Sequence, residues 1–164
     1  MEQPAAATPF LDNQFKPYGK VAAIRVKAAH PKFEEAWQIT VSEKPKQSWE
    51  AGLLSVTSEA ISEKDVLFIS FYARAKDTDG GVLELDFRKN SPPWSSSLTK
   101  AFKLSSDWSP FVVAFRAATS FAQGDAKLTL ITGGKEQELQ IARVVFINAG
   151  SSANIEDLLR AGAK

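Results

Sequence analysis

The chain has 164 residues, of which 44% are hydrophobic and 24% are charged, and its formal net charge is +1 at pH 7. That is the size and composition of one globular domain, and so small a net charge provides no field to attract nucleic acid or an anionic membrane. The absence of cysteine excludes disulfides and thiolate sites, and a single histidine, His30, excludes multi-histidine zinc sites.

Residues 1–16 are predicted to be an N-terminal extension of the folded domain. They lack the basic start and the apolar stretch of a secretory signal, and no run in the chain approaches the ~20 apolar residues that cross a bilayer. The alanine-rich opening, residues 2–8, is typical of the start of a mature exported protein. We therefore expect a secreted, extracellular or periplasmic protein whose signal peptide is absent from this chain.

Residues 17–150 predict an antiparallel β-sandwich. Short apolar alternations are interrupted every ~8–12 residues by Gly, Pro, Asp or Ser, which is the pattern of an all-β sandwich or barrel. His30 precedes Pro31 in a predicted connection, so we expect a plain surface residue there. The predicted strands are Val21–Ala28, Trp37–Ser42, Gly52–Thr57, Asp65–Ala75, Gly81–Lys89, Leu98–Leu104, Ser109–Arg116, Lys127–Thr132 and Gln137–Asn148.

The clearest predicted hairpin joins Asp65–Ala75 to Gly81–Lys89 through residues 76–80, because Asp and Gly tolerate the backbone angles of a turn. Within each strand, alternate residues point to opposite faces. One face of the two strands is polar, and its residues are Tyr72, Arg74, Glu84, Asp86 and Arg88. This polar face either forms the floor of a shallow polar groove or is held by cross-strand ion pairs such as Arg74 with Glu84.

The only predicted helix lies at the end of the chain, where residues 151–164 form a C-terminal helix or linker. Asn154 is suited to cap a helix over Ile155–Arg160, and Gly162 is suited to end it. Acidic residues in the first turn complement the helix dipole.

No catalytic motif is present: the sequence has no phosphate-binding glycine loop, no nucleophile elbow and no metalloprotease helix. A glycosidase needs only two carboxylates that flank a bond. Glu84 and Asp86 lie on one face of one predicted strand, but such a pair is too generic to identify an acid and a base. The chain is therefore predicted not to be an enzyme.

The chain does have side chains suited to sugar binding, because pyranose rings stack on aromatic side chains and their hydroxyls bond to polar ones. Trp49 and Trp94 lie in polar segments and are either exposed sugar platforms or structural residues. In the structural alternative, Trp49 anchors the start of a strand and Trp94 folds onto the edge of the core. Trp37 and Trp108 are predicted to pack in the core.

The run from Lys64 to Ala75, KDVLFISFYARA, resembles the G-D-x-x-x-x-S-F-x-A-R strand of jelly-roll carbohydrate-binding modules, with Lys64 where glycine is common. The order of further motifs over residues 17–160 is similar to the non-catalytic region that precedes the barrel of certain family-ten xylanases. Those motifs are Trp49, Ser70–Arg74, Phe115–Ala118, Gln137–Leu139, Asn148–Gly150 and Ile155–Leu158. Trp108–Phe111 and Gln137–Ile141 resemble a strand opening and the final strand of the broader jelly-roll family.

The resemblance implies two antiparallel sheets that receive a glycan on a concave face or an end loop, without chemistry. The implied ligand is a plant cell-wall polysaccharide, xylan or another β-glycan, and the implied partner is a covalently linked glycoside hydrolase such as an endo-xylanase. On this interpretation three aromatic residues stack on sugar rings and four polar residues bond hydroxyls. They are Trp49, Tyr72 and Trp94, and Arg74, Glu84, Arg88 and Gln137.

Many members of the family hold a structural calcium through acids near the first strand and an Asp-Asp pair in the last. Here Ala142 and Arg143 occupy the corresponding stretch, which argues against calcium, and Asp12 and Asn13 are the remaining oxygen donors near the first strand. No other cofactor is expected. Two alternatives stay open: a structural or protein-interaction spacer packed against a catalytic domain, and an autonomous glycosidase.

Overall fold

The computed structural model describes residues 15–162, which form two five-stranded antiparallel sheets packed face to face and a C-terminal helix. This confirms the predicted jelly-roll β-sandwich, and every predicted strand is present with ends that differ by at most a few residues. The elements are β1 Lys16–Tyr18, β2 Ala22–His30, β3 Phe33–Val41, β4 Gly52–Val56, β5 Val66–Ala75, β6 Gly81–Lys89, β7 Ser96–Leu104, β8 Ser109–Arg116, β9 Ala126–Ile131, β10 Gln137–Asn148 and α1 Ile155–Gly162.

The strands divide into a front sheet in the order β1-β4-β9-β6-β7 and a back sheet in the order β2-β3-β10-β5-β8. Strand β1, which the alternation does not predict, has three residues and includes Pro17. Because proline cannot donate to a sheet ladder, this strand is suited to an edge. It lies at the edge of the front sheet, next to β4.

The predicted hairpin of β5 with β6 is wrong, because β5 pairs with β8 and β10 in the back sheet while β6 pairs with β7 and β9 in the front sheet. The turn between them crosses the sandwich. Each strand buries one apolar face, and the two faces meet across the core. Tyr72 and Glu84 therefore lie on opposite outer surfaces, and Arg74 Nε donates to Gln140 Oε1 at 2.8 Å and forms no ion pair with Glu84.

The core between the sheets is rich in phenylalanine. The ring of Phe87 lies 5.3–5.6 Å from the rings of Phe115, Phe121 and Phe146, in tilted or edge-on contacts. Burial of each such ring contributes about 1.5–3 kcal/mol. Trp37 is buried with this core, as predicted.

The prediction of a core position for Trp108 is wrong. Its ring is half-buried on the outer face of the back sheet, 4.9 Å from the ring of Phe33 and 5.2 Å from the guanidinium of Arg74. His30 is likewise not in a connection: it ends β2 and stacks on Phe33 at 4.2 Å. With Tyr72, these side chains form the back-sheet aromatic cluster.

Helix α1 starts as predicted, because the backbone N–H of Asp157 donates to the side-chain oxygen of Asn154 at 3.0 Å. The helix packs against the end of the back sheet, near β8 and β5. Within residues 15–162 no helix is long and apolar enough to cross a membrane.

Candidate functional site

A cleft of about 530 Å³ lies on the outer face of the front sheet. Four strands and the short 3-10 helix Ser48–Glu50 contribute side chains to it. The lining residues are Tyr18, Trp49, Leu54, Glu84, Asp86, Arg88, Lys127, Thr129 and Ile131.

Strand register arranges the floor of the cleft in cross-strand rows. Directly opposite residues in an antiparallel sheet point to the same face with their Cβ atoms about 4.5–5.5 Å apart. Read from β4 through β9 to β6, the rows are Gly52, Ile131 and Glu84; Leu54, Thr129 and Asp86; and Val56, Lys127 and Arg88.

Tyr18 on the edge strand reaches the first of these rows because Gly52, opposite it, has no side chain. A Cβ built on Gly52 would lie only 3.1 Å from the Tyr18 hydroxyl oxygen and 2.1 Å from the carbonyl oxygen of Leu130. Glycine at position 52 therefore lets the phenol lie over the sheet and face the cleft.

The Tyr18 hydroxyl stays protonated over a wide pH range. Burial, followed by the negative charges of Asp86 and Glu84, raises the pKa of this phenol to about 12. At neutral pH the group is therefore a neutral O–H that can donate to a hydroxyl or carboxylate oxygen in the cleft.

The centre of the floor is a fixed charge pair. Asp86 is only 4% exposed, and its two oxygens accept hydrogen bonds from Arg88 Nε at 2.6 Å and Nη2 at 2.7 Å. The Thr99 hydroxyl donates to the same carboxylate at 3.1 Å. The hydrogen bond to Asp86 raises the pKa of Arg88, and the three N–H groups of the guanidinium that Asp86 does not use remain for a ligand.

Two tryptophans flank this polar floor. Trp49 lines the cleft and is 60% exposed. Trp94, in the loop between β6 and β7, is 47% exposed, and its ring centroid lies 5.6 Å from Nζ of Lys127, a lining residue. Both rings are therefore largely open to solvent, and neither belongs to the buried core.

The backbone of Trp94 has a φ of +60°, a left-handed conformation that costs a non-glycine residue about 1–2 kcal/mol. Two hydrogen bonds support it: Trp94 N donates to the Ser91 carbonyl at 2.8 Å, and the Ser91 hydroxyl donates to Asp125 at 2.7 Å. The fold thus holds a large apolar ring in water at a conformational cost, which is a pattern found at functional sites.

The predicted site residues fall in three places. Trp49, Glu84 and Arg88 line the cleft, with Trp94 at its margin. The others lie elsewhere: Tyr72 and Arg74 belong to the back-sheet aromatic cluster, and Gln137 is buried between the sheets.

Gln137 has no polar group left for a ligand in this cleft. Its Oε1 accepts from Val82 N at 2.9 Å, and its Nε2 donates to the carbonyl oxygens of Val82 at 2.9 Å and Thr132 at 2.7 Å. These bonds connect the start of β10 in the back sheet to β6 in the front sheet.

Sequence reasoning missed Tyr18, Leu54, Lys127, Thr129 and Ile131. The alternation of Lys127, Thr129 and Ile131 with buried leucines is visible in β9 and predicts that they share a face. It does not indicate that this face adjoins Glu84 and Arg88, because that depends on the pairing of β9 with β6.

The described residues do not fit the calcium site of the resembled family. Within residues 15–162 no group of three or more His, Asp or Glu side chains is placed to hold a metal ion. In the stretch where relatives carry two aspartates, Ala142 has no side-chain oxygen and Arg143 carries a positive charge. Asp12 and Asn13, the other candidate ligands, lie outside the described residues.

No protein-family model matches the chain, and no curated protein matches it in sequence. Solved structures match the chain in fold. A CBM22 xylan-binding domain from Paenibacillus barcinonensis, 11% identical, superimposes with a TM-score of 0.64 over 88% of this chain and 90% of that one. The N-terminal cellulose-binding domain of Cellulomonas fimi β-1,4-glucanase C, 14% identical, also scores 0.64, over 90% and 97%. The chain has the fold of these carbohydrate-binding modules.

This module fold also occurs in a two-module xylanase structure. The N-terminal CBM22 and GH10 modules of Clostridium thermocellum endo-1,4-β-D-xylanase 10B, in complex with xylohexaose, match with 10% identity and a TM-score of 0.66, over 91% of this chain and 29% of that one. The resemblance to jelly-roll modules of xylanases, first visible in short motifs, is confirmed at the level of the fold.

Proposed function

We propose that this chain is a non-catalytic carbohydrate-binding module that holds a β-linked plant cell-wall polysaccharide, xylan first, in the front-sheet cleft. The observation that carries the proposal is the pair of exposed tryptophans, Trp49 and Trp94, on either side of a floor built from Glu84, Arg88 and Thr129. Exposed tryptophan surface is costly in water, and the apolar face of a sugar ring removes that cost by stacking on it.

The polar floor of the cleft suits the hydroxyls of the bound polysaccharide. Glu84 offers carboxylate oxygens, Arg88 offers N–H groups whose direction is fixed by Asp86, and Tyr18 offers a neutral O–H. Polar groups that are already oriented lose little conformational entropy when a ligand binds. The cleft is open and shallow, so it can accept the middle of a long polymer as well as its end.

The carboxylates of the cleft do not support glycoside hydrolysis. An acid and a base must lie on the two sides of the scissile bond, whereas Glu84 and Asp86 both lie on the floor, two residues apart on one strand. Asp86 is buried and bonded to Arg88 and Thr99 through its oxygens. Binding without cleavage is therefore the function that this arrangement favours.

We also propose that the module acts outside the cell or in the periplasm and concentrates an attached glycoside hydrolase on its substrate. The support is the Clostridium thermocellum structure, in which a module of this fold is joined to a xylanase module. The open cleft suits this role, because it would bind a polymer that a linked catalytic domain then cleaves elsewhere along the chain.

Affinity electrophoresis tests the proposal. The isolated chain is run through native gels that contain xylan, mixed-linkage β-glucan, xyloglucan or mannan, with an inert protein as the mobility reference. We expect selective retardation in xylan, and assays for released reducing sugar should detect none. Normal migration in every gel would overturn the proposal and favour the structural spacer, and release of sugar would favour a glycosidase.

Two variants test whether the retardation arises in the cleft: Trp49→Ala inside it and Ile24→Ala outside it. Ile24→Ala removes another exposed apolar side chain, 56% exposed, from β2 of the back sheet. It should migrate like the unmodified chain in every gel. Equal losses of retardation in Ile24→Ala and Trp49→Ala would place the binding surface elsewhere.

A further inference from the structure

Two cations face each other at the end of the cleft next to Trp94. Lys127 of β9 lies directly opposite Arg88 of β6, and both residues line the cleft. Like charges in directly opposite positions of a sheet repel each other. An anion bound between them would turn this repulsion into two attractions.

The acidic side chains nearest to Lys127 are paired with other cations. Asp86 is engaged by Arg88, and Asp125 pairs with Lys89 at 3.8 Å. Among residues 15–162 the Lys127 ammonium has no ion-pair partner; it is half-buried and lies over the ring of Trp94. Because Asp86 offsets Arg88, this end of the cleft retains one net positive charge.

The opposite end of the floor is acidic. Glu84 precedes Arg88 by four residues on β6, which is about 13 Å at the usual rise of a strand. Within residues 15–162 its carboxylate has no hydrogen-bond or ion-pair partner. A polymer with an acid on every sugar would meet this charge and be repelled, whereas an otherwise neutral chain with one acid would not.

We infer that the cleft recognises a β-glycan that carries an isolated uronic acid, and that Lys127 and Arg88 bind the uronate carboxylate beside Trp94. Arg88 contributes N–H groups not used by Asp86, and Lys127 contributes an ammonium; both form charge-assisted hydrogen bonds with a carboxylate. The inference rests on the proposed function and adds the charge of the ligand to it. It makes Lys127 a specificity-determining residue.

The test compares three xylo-oligosaccharides of equal backbone length by titration calorimetry. One is neutral, one has a single glucuronic acid branch, and in the third the carboxylate of that branch is reduced to an alcohol. Lys127→Met keeps an apolar stem over Trp94 and removes the charge. We expect Lys127→Met to bind the acidic ligand about three- to tenfold more weakly and the other two within about twofold of the unmodified chain.

Two further variants make the comparison specific. Lys127→Arg keeps the charge and should retain the preference for the acidic ligand. Lys100→Met is the matched control, because the Lys100 ammonium also lies 5.6 Å from an aromatic ring, that of Phe102, but does not line the cleft. It should bind all three ligands normally. The preference should also fade at about 1 M salt, where the Debye length is about 3 Å.

The outcomes separate the two levels of the proposal. Equal affinity of the unmodified chain for the acidic and the reduced ligand would overturn the uronate site and leave glycan binding intact. Equal weakening of Lys127→Met toward all three ligands would also overturn it, because Lys127 would then contact the backbone. No binding of any of the three would overturn the xylan-binding function itself.

Discussion

Arg88 donates two parallel hydrogen bonds to Asp86, two residues before it on the same strand, and so fixes its guanidinium against the floor of the cleft. The partners differ in solvent access: the side chain of Asp86 is 6% exposed, whereas that of Arg88 is 36% exposed. Consequently the loss of the partner has a different cost for each residue. Water can solvate an unpaired Arg88 but not an unpaired Asp86.

This asymmetry predicts the order of two stability losses. Arg88→Met leaves a buried carboxylate with one neutral hydroxyl partner, Thr99, and should lower the free energy of unfolding by about 2–4 kcal/mol. Asp86→Asn leaves an arginine that reaches water and should cost about 1–2 kcal/mol. Urea unfolding measures both, and the double variant should be less destabilised than the sum of the two. A larger loss in Asp86→Asn would contradict this account.

Tyr18 predicts a loss of stability at alkaline pH. Its pKa is about 12 in the folded state against 10 in an unfolded chain, so between these values the unfolded state releases a proton that the folded state keeps. The contribution is therefore complete below pH 10 and falls as the pH rises toward 12, by about 2 kcal/mol at most because the phenol is partly exposed. Tyr18→Phe should remove this part of the pH dependence of urea unfolding.

The control for Tyr18 uses the other tyrosine. The chain has two, and Tyr72 lies on the opposite sheet, so Tyr72→Phe should leave the alkaline loss in place. In that variant the ultraviolet absorbance of tyrosinate reports Tyr18 alone. A midpoint near pH 10 would show that the phenol is not perturbed and would remove the basis of the prediction.

Strand alternation predicts the inward faces but not the partners of the strands. Side-chain direction along β5 and β6 follows from local geometry, and both apolar faces do point inward. Whether two such strands pair at their edges or pack across a core depends on contacts with distant segments. Pairing of β5 with β6 would put Tyr72 and Arg74 beside Glu84. Because the two strands belong to different sheets, Tyr72 and Arg74 lie on the other surface of the sandwich.

The two tryptophans of the site were accessible to sequence reasoning because their neighbours are polar. Trp49 follows a Lys- and Gln-rich segment and Trp94 lies between prolines and serines. Lys127 was not accessible in this way, because nothing near it in the chain distinguishes it from an ordinary strand lysine. Its place opposite Arg88 follows only from the register of β9 with β6.

Two substitutions at Trp94 distinguish its effect on glycan affinity from its effect on protein stability. Trp94→Ala and Trp94→Gly both remove the ring and should weaken binding of a retarding glycan by about 1–2 kcal/mol, a five- to thirtyfold loss. Because φ at this position is +60°, the glycine variant should be about 0.5–1 kcal/mol more stable than the alanine variant. Calorimetric titration and urea unfolding measure the two effects.

The buried Trp37 is the comparison for these variants. Trp37→Ala should lower the free energy of unfolding by about 3–5 kcal/mol because it empties part of the core. If Trp94→Ala caused a loss of that size, Trp94 would be a packing residue and its reduced binding would carry no information on the site.

Beyond the end of β9, the side-chain amide of Gln137 makes the hydrogen bonds to β6 that a longer β9 would make. The register of β9 with β6 stops at the pair of Ile131 and Glu84, so the N–H and carbonyl of Val82 have no β9 partner. The Gln137 amide binds both groups at 2.9 Å and the carbonyl of Thr132 at 2.7 Å. Gln137 shares the inward face of β10 with Leu139 and Ile141, which is why the amide is directed into the sandwich.

Gln137→Leu should therefore lower the free energy of unfolding by about 2–4 kcal/mol, because it leaves the buried carbonyl of Thr132 and the partly buried N–H and carbonyl of Val82 without their partner. Gln140→Leu is the matched control. Gln140 bonds the side chains of Gln38 and Arg74 on the outer face, and these can rotate and hydrate, so the loss should stay below about 1.5 kcal/mol. Glycan affinity of the folded fraction should be unchanged in both variants. A specific loss of affinity in Gln137→Leu, with its stability intact, would return Gln137 to the binding site.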